Sequence, residues 1–185
     1  QSTQRLWQFL DLSILQQAVL VLAALVLFVS FLLLAQPRLL AAIRAFAWQG
    51  ALLALITAVV ATVNVHPHLY VSAVLTAGLK AGLIPWMLHR LTRRLELERH
   101  VEAVERAAII QIVAVALVLF SYWLVLPIIQ QDLEFTRNII AISLAVVLLG
   151  LWVMITRQQA VFQVLGFMSI ENGLFLAAVS ATEGM

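Results

Sequence analysis

Residues 160–180 read AVFQVLGFMSIENGLFLAAVS, a helical-length apolar stretch broken near its middle by one carboxylate, Glu171. At that depth in a bilayer an ionised side chain costs roughly 2.5–3.5 kcal/mol on insertion scales, so such a group marks a functional position by default. The rest of the chain is sparing with charge. Of its 185 residues 64% are hydrophobic and 11% charged, with a mean hydropathy of +1.05. A soluble domain of this length needs far more charge to cover its surface, so the composition defines an integral membrane protein. A net charge of +2, scattered along the chain, excludes a nucleic-acid-binding surface. With no cysteine, the chain cannot supply thiolates to iron–sulfur clusters, disulfides or cysteine-type zinc sites.

A hydrocarbon core about 30 Å thick takes on the order of 20 helical residues to cross. Six segments meet that length: Ile14–Leu34, Leu39–Val63, Leu69–Leu88, Ala107–Leu126, Asn138–Ile155 and Ala160–Ser180. No ten-residue alternation supports a barrel, and open sheets leave backbone groups unsatisfied in lipid. The expected fold is an all-α polytopic bundle forming a single integral membrane domain over 1–185. Its N-terminal part, 14–106, holds three spans and a charged connector; its C-terminal part, 107–185, holds the other three. The first span lacks a signal-peptide cleavage pattern and reads as a true span. The chain starts without Met and stops soon after a span, so both ends are expected to be trimmed.

Loop charge orients the bundle. Arg38, Arg44, Arg90, Arg93, Arg94, Arg99, Arg106 and Arg157 fall on one side, against Arg5 and Arg137 on the other. Basic residues stay inside, which puts both ends of the chain outside. Trp7, Trp86, Trp123 and Tyr122 fall near the interfaces, as aromatic belts require. The segment Leu88–Val104 reads as an amphipathic continuation of span three, with opposite-sign pairs Arg94–Glu98 and Glu102–Arg106. It serves either as a solvated connector or as a docking surface for a cytoplasmic subunit.

The second deep charge is Lys80, the sole lysine, in Gly78-Leu79-Lys80-Ala81-Gly82-Leu83-Ile84-Pro85-Trp86. Gly78 and Gly82 form a small-xxx-small pair that admits a close neighbour helix. Pro85 removes a helix hydrogen bond and frees a carbonyl near Ala81. Irregular helices beside buried charge occur at transport sites. An amine and a carboxyl held away from water are both driven toward neutral forms, so proton exchange is the first chemistry they bring to mind. The competing reading is structural: Glu171 hydrogen-bonded to Gln49, Asn172 or Gln163, and Lys80 snorkelling to an interface. His66-Pro67-His68 has no nearby carboxylate or thiol and makes a poor metal site. Gln16 and Gln17 read as packing groups near an interface.

Two stretches resemble a known family. Asn138–Ser180, with the turn Thr156-Arg157-Gln158-Gln159, is similar to two spans of the K-type subunit of complex I and of the C-type subunit of multisubunit cation/proton antiporters. Asn138-Ile139-Ile140-Ala141-Ile142-Ser143 and Gly166 to Phe175 look most like hydrogenase-4 component E. Glu171 follows Gly166 by five residues where the K-type pattern has two, placing it about 4.5 Å further along the helix. The resemblance implies a non-catalytic membrane-arm subunit of a complex-I-like group 4 [NiFe] hydrogenase or formate hydrogenlyase in a prokaryotic cytoplasmic membrane. It implies antiporter-like and H-type membrane partners and cytoplasmic hydrogenase subunits. The nickel–iron centre and iron–sulfur clusters would sit on those partners, with no cofactor in this chain. Glu171 and Lys80 would lie on a proton path. A seventh helix after Met185 would complete the K-type pattern. An antiporter subunit and a purely structural scaffold are the alternatives.

Overall fold

A computed structural model describes residues 2–64, 67–94, 104–127 and 134–183. Its elements are α1 (Ser2–Ala35), α2 (Leu39–Asn64), α3 (Pro67–Thr76), a π-helical segment (Ala77–Leu83), α4 (Ile84–Arg94), α5 (Val104–Val125), α6 (Glu134–Thr156) and α7 (Ala160–Glu183). Among the described residues there is no strand, and six helical stretches are long and apolar enough to cross a membrane. The fold is therefore all-α, a multi-pass membrane bundle. The spans fall where hydropathy puts them, because in lipid each backbone group must be satisfied within its own helix. Two observed boundaries differ. Helix α1 begins at Ser2, well before its span, and span three reaches Arg94 through an irregular middle.

Prolines set two of the junctions. Pro37 lies in the short turn between α1 and α2, and Pro67 opens α3 at a position where its missing N–H costs nothing. The charged connector is helical as far as Arg94 and again from Val104; its middle, with Glu98, Arg99 and Glu102, lies outside the described residues.

Helix α2 is the hub, packing against α1, α3, the π segment, α4 and α7, while α6 and α7 form a close antiparallel hairpin. Helix α5 packs on α6 and the edge of α1, leaving Ile112, Leu119 and Trp123 exposed for lipid. Cross-helix bonds from side chains to backbone tie these layers. Trp152 Nε1 donates to the Ile110 carbonyl at 3.1 Å and Ser121 Oγ to the Ala141 carbonyl at 2.6 Å.

The core has two apolar clusters stacked along the membrane normal. One joins Leu33, Leu34, Phe46, Leu149, Phe162 and Leu165. The other joins Val19, Leu53, Ile56, Ile142, Val146 and Leu176. On α2 the first ends at Phe46 and the second begins at Leu53; on α7 the corresponding residues are Leu165 and Leu176. The gap between them is polar, and it holds the site.

Candidate functional site

In the gap, fully buried Gln49 of α2 binds two other helices. Its Nε2 donates to Ser30 Oγ of α1 at 2.8 Å and to Ser169 Oγ of α7 at 3.2 Å. Asn172 Nδ2 of α7 donates to Gln49 Oε1 at 3.0 Å. Ser30 Oγ in turn donates a hydrogen bond to the Val26 carbonyl, 2.9 Å away. This use of every polar atom of Gln49 is what makes an amide tolerable at such depth. The Asn172 Oδ1 atom, also buried, has no hydrogen-bond partner among the described residues.

Next to this group lies the Lys80–Glu171 ion pair, with Nζ and Oε1 3.4 Å apart. The Lys80 ammonium also sits 5.2 Å from the centroid of the Phe175 ring, within cation–π range. Two charges far apart in sequence thus meet near mid-membrane. Glu171 follows Ala160 by eleven residues, about 16 Å of helix, and Gln49 follows Leu39 by ten, about 15 Å.

The two partners are placed differently. Lys80 is buried, whereas the Glu171 side chain is 51% exposed. Glu171 belongs to the outward stripe of α7, with Val164, Phe167, Leu174 and Ala178, and reaches sideways to Lys80. It is deep along the membrane normal yet lies on the surface of this chain.

The helix irregularity foreseen at Pro85 takes the form of a π segment, not a break. The Ile84 N–H donates to the Leu79 carbonyl, five residues back. Pro85 cannot donate to the Ala81 carbonyl, so the α-helical register lapses just ahead of it. The consequence is rotational. Buried positions run Ala73, Thr76, Lys80, Pro85 and Thr92. In a regular helix Lys80 and Pro85 would point about 140° apart; the wider turn lets both face the bundle. Isolated π turns often accompany functional positions.

Several expected roles are corrected by this geometry. Gly78 and Gly82 are both exposed, and among the described residues a Cβ on Gly78 would meet nothing within 4 Å. The close approach is made by Gly50, where an added Cβ would lie 2.9 Å from the Lys80 carbonyl carbon and from its Cβ. Gln163 is not near Glu171. It donates to the carbonyls of Met154 and Arg157 and closes the α6–α7 turn. Gln49 and Asn172 bond each other, and the observed polar partner of Glu171 is Lys80. Gln16 and Gln17 are exposed on α1. Arg157, counted as a loop charge, is buried; its Nη2 donates to the Leu34 carbonyl at 3.0 Å, and its guanidinium lies 4.8 Å from the Phe162 ring centroid. A cation at the C-terminal carbonyls of α1 also suits the helix dipole. His66 lies outside the described residues, and His68 is exposed.

The chain is similar to the uncharacterized protein Rv0085 of Mycobacterium tuberculosis (strain ATCC 25618 / H37Rv), with 30% identity over 146 residues. The match covers 78% of this chain and 66% of that protein, so the chain spans just under two thirds of its relative's length. No family model matches, and no solved structure matches.

Proposed function

We propose that this chain is a membrane-arm subunit of a complex-I-like group 4 [NiFe] hydrogenase or formate hydrogenlyase, in which Lys80 and Glu171 carry protons through the bilayer. The observation that carries the proposal is the 3.4 Å approach of a lysine and a glutamate at mid-membrane. Brought from that separation into hydrogen-bond reach, such a pair can exchange one proton: carboxylic acid and amine on one side, carboxylate and ammonium on the other. Neither form leaves a lone ion in hydrocarbon, which is the cost that otherwise excludes such groups.

The half-exposed Glu171 supports a place within a larger assembly. Lipid tails offer no donor to a carboxylate, so this face of α7 calls for a protein neighbour, in keeping with antiporter-like and H-type partner subunits. The redox centres belong on those partners and on the cytoplasmic subunits attached to them. The resemblance implies a prokaryotic cytoplasmic membrane, and the loop arginines favour an N-terminal end outside.

The test is Glu171→Gln in the native assembly, in sealed vesicles. The variant is expected to assemble while coupled proton translocation falls about a hundredfold or more, the order removed with a positioned proton-transfer group. Undiminished coupling in an intact variant complex would overturn the proposal. Sodium- or potassium-dependent proton flux by the chain and its membrane partners, without any redox subunit, would assign it to a cation/proton antiporter instead.

A further inference from the structure

We infer that the adjacent residues Gln49 and Gly50 are the positioning element of the Lys80–Glu171 pair, each controlling one of its members. The inference rests on the proton role proposed above for that pair but concerns its geometry. Neighbouring residues of an α-helix point about 100° apart, so two consecutive positions of α2 address two different elements.

Gly50 faces the π segment. A Cβ there would fall 2.9 Å from the Lys80 carbonyl carbon and Cβ, and 3.0 Å from its carbonyl oxygen. These are backbone atoms and the root of a side chain, so they cannot swing aside; the whole segment would have to retreat. Gly50 therefore sets how far Lys80 stands from the bundle axis.

Gln49 faces α7. It is fully buried and engages Ser169 and Asn172, the latter adjacent to Glu171 in sequence. Those two bonds, three residues apart on one helix face, fix the rotation of α7 about its axis. That rotation decides whether Glu171 reaches sideways to Lys80 or points away from it. An amide carries no charge to exchange, and among the described residues the side-chain hydrogen bonds of Gln49 go to Ser30, Ser169 and Asn172 rather than to the pair. It is a positioning residue, as is Gly50.

The chain has no cysteine, so within it the two introduced thiols are the only ones that can be linked. In the full chain within its native assembly, Lys80→Cys/Glu171→Cys is treated with a short bifunctional methanethiosulfonate, and cross-link yield is read on gels. Adding Gly50→Ala or Gln49→Met is expected to lower the yield about threefold or more, since proximity governs such reactions. Adding Arg157→Gln, which removes a buried contact fourteen positions from Glu171, is expected to leave it unchanged. With Lys80 and Glu171 restored, Gly50→Ala and Gln49→Met should displace the pH profile of proton flux, whereas Arg157→Gln should not. Should Gly50→Ala fail to assemble, Gln49→Met decides alone. Unchanged yield and profile in assembled variants overturn the inference. A lowered yield, with full coupling retained in Glu171→Gln, leaves the positioning role standing and removes the proton role.

Discussion

The α6–α7 hairpin and the contact between α2 and the π segment both bring backbones together through glycine, but they are built for different ends. In the hairpin, Gly150 lies against Gly166 and Gly173 against Ser143, the two pairs spaced seven residues apart on each helix. Both helices are regular, and the repeat spreads close packing over two turns, as small residues do in membrane interfaces. The second contact has one glycine, Gly50, and an irregular partner segment whose wider turn points Lys80 inward. Repetition gives the hairpin stiffness. A single glycine under a charged residue gives placement. The chain thus separates a rigid support from the element that holds its charge, although Glu171 rides on the support.

The largest effect is expected from attacking the support. In Gly166→Leu the new Cβ would start 2.9 Å from the Gly150 carbonyl oxygen and the rest of the side chain has no room. Overpacking of this kind should cost about 3 kcal/mol, read as a lowered denaturation midpoint of the detergent-solubilised protein. A small loss would show that the hairpin can spread, and the contrast with α2 would weaken.

Gln49→Met tests the other region. It preserves length but strands Ser30, Ser169 and Asn172, whose amide partner disappears. Buried polar groups left unpaired cost roughly 1–3 kcal/mol in water-soluble proteins, and interhelical hydrogen bonds in membranes average nearer 0.6. We expect about 1–2 kcal/mol in the same unfolding assay, less than for Gly166→Leu.

These two regions were not equally legible in the sequence. The six spans were plain, because hydropathy over about 20 residues is dictated by the bilayer itself. Lys80 and Glu171 stood out as lone charges for the same reason. Their meeting did not, since it depends on the rotation of the π segment and on α2 lying between distant parts of the chain. Gly50 was invisible as one glycine in an alanine-rich span, where nothing in the local pattern marks which face meets a neighbour. The hairpin could have been found: Ser143 with Gly150, and Gly166 with Gly173, share a seven-residue spacing on consecutive spans. Arg157 misled for a different reason. Its turn position suggested a solvated loop charge, yet the carbonyl end of α1 draws it inward.

Arg157 also offers a smaller test, at the inner end of the support. Arg157→Gln removes the bond to Leu34 and the contact with Phe162 while leaving the turn polar. A loss of about 1 kcal/mol is expected from the helix-terminus and ring terms together. Stability should fall without any change in the pH profile of proton flux, because the residue lies fourteen positions from Glu171 on the chain. A displaced profile would mean that the hairpin and the charged pair are not separable.

The smallest effect is expected at Gly78, and it sharpens the comparison most. Gly50, Gly150, Gly166 and Gly173 each have another element where a Cβ would go; Gly78 has open space. In the isolated chain Gly78→Ala should change stability by less than about 0.5 kcal/mol, as is usual for exposed positions away from specific contacts. The same variant introduced into the native assembly separates two kinds of glycine. If assembly is also unaffected, Gly78 serves only to loosen the helix around Lys80. If the isolated chain is stable but partner subunits are lost on purification, the exposed face of the π segment is a contact between chains. Small residues would then bring Lys80 close to a neighbour from both sides, Gly50 within the chain and Gly78 beyond it.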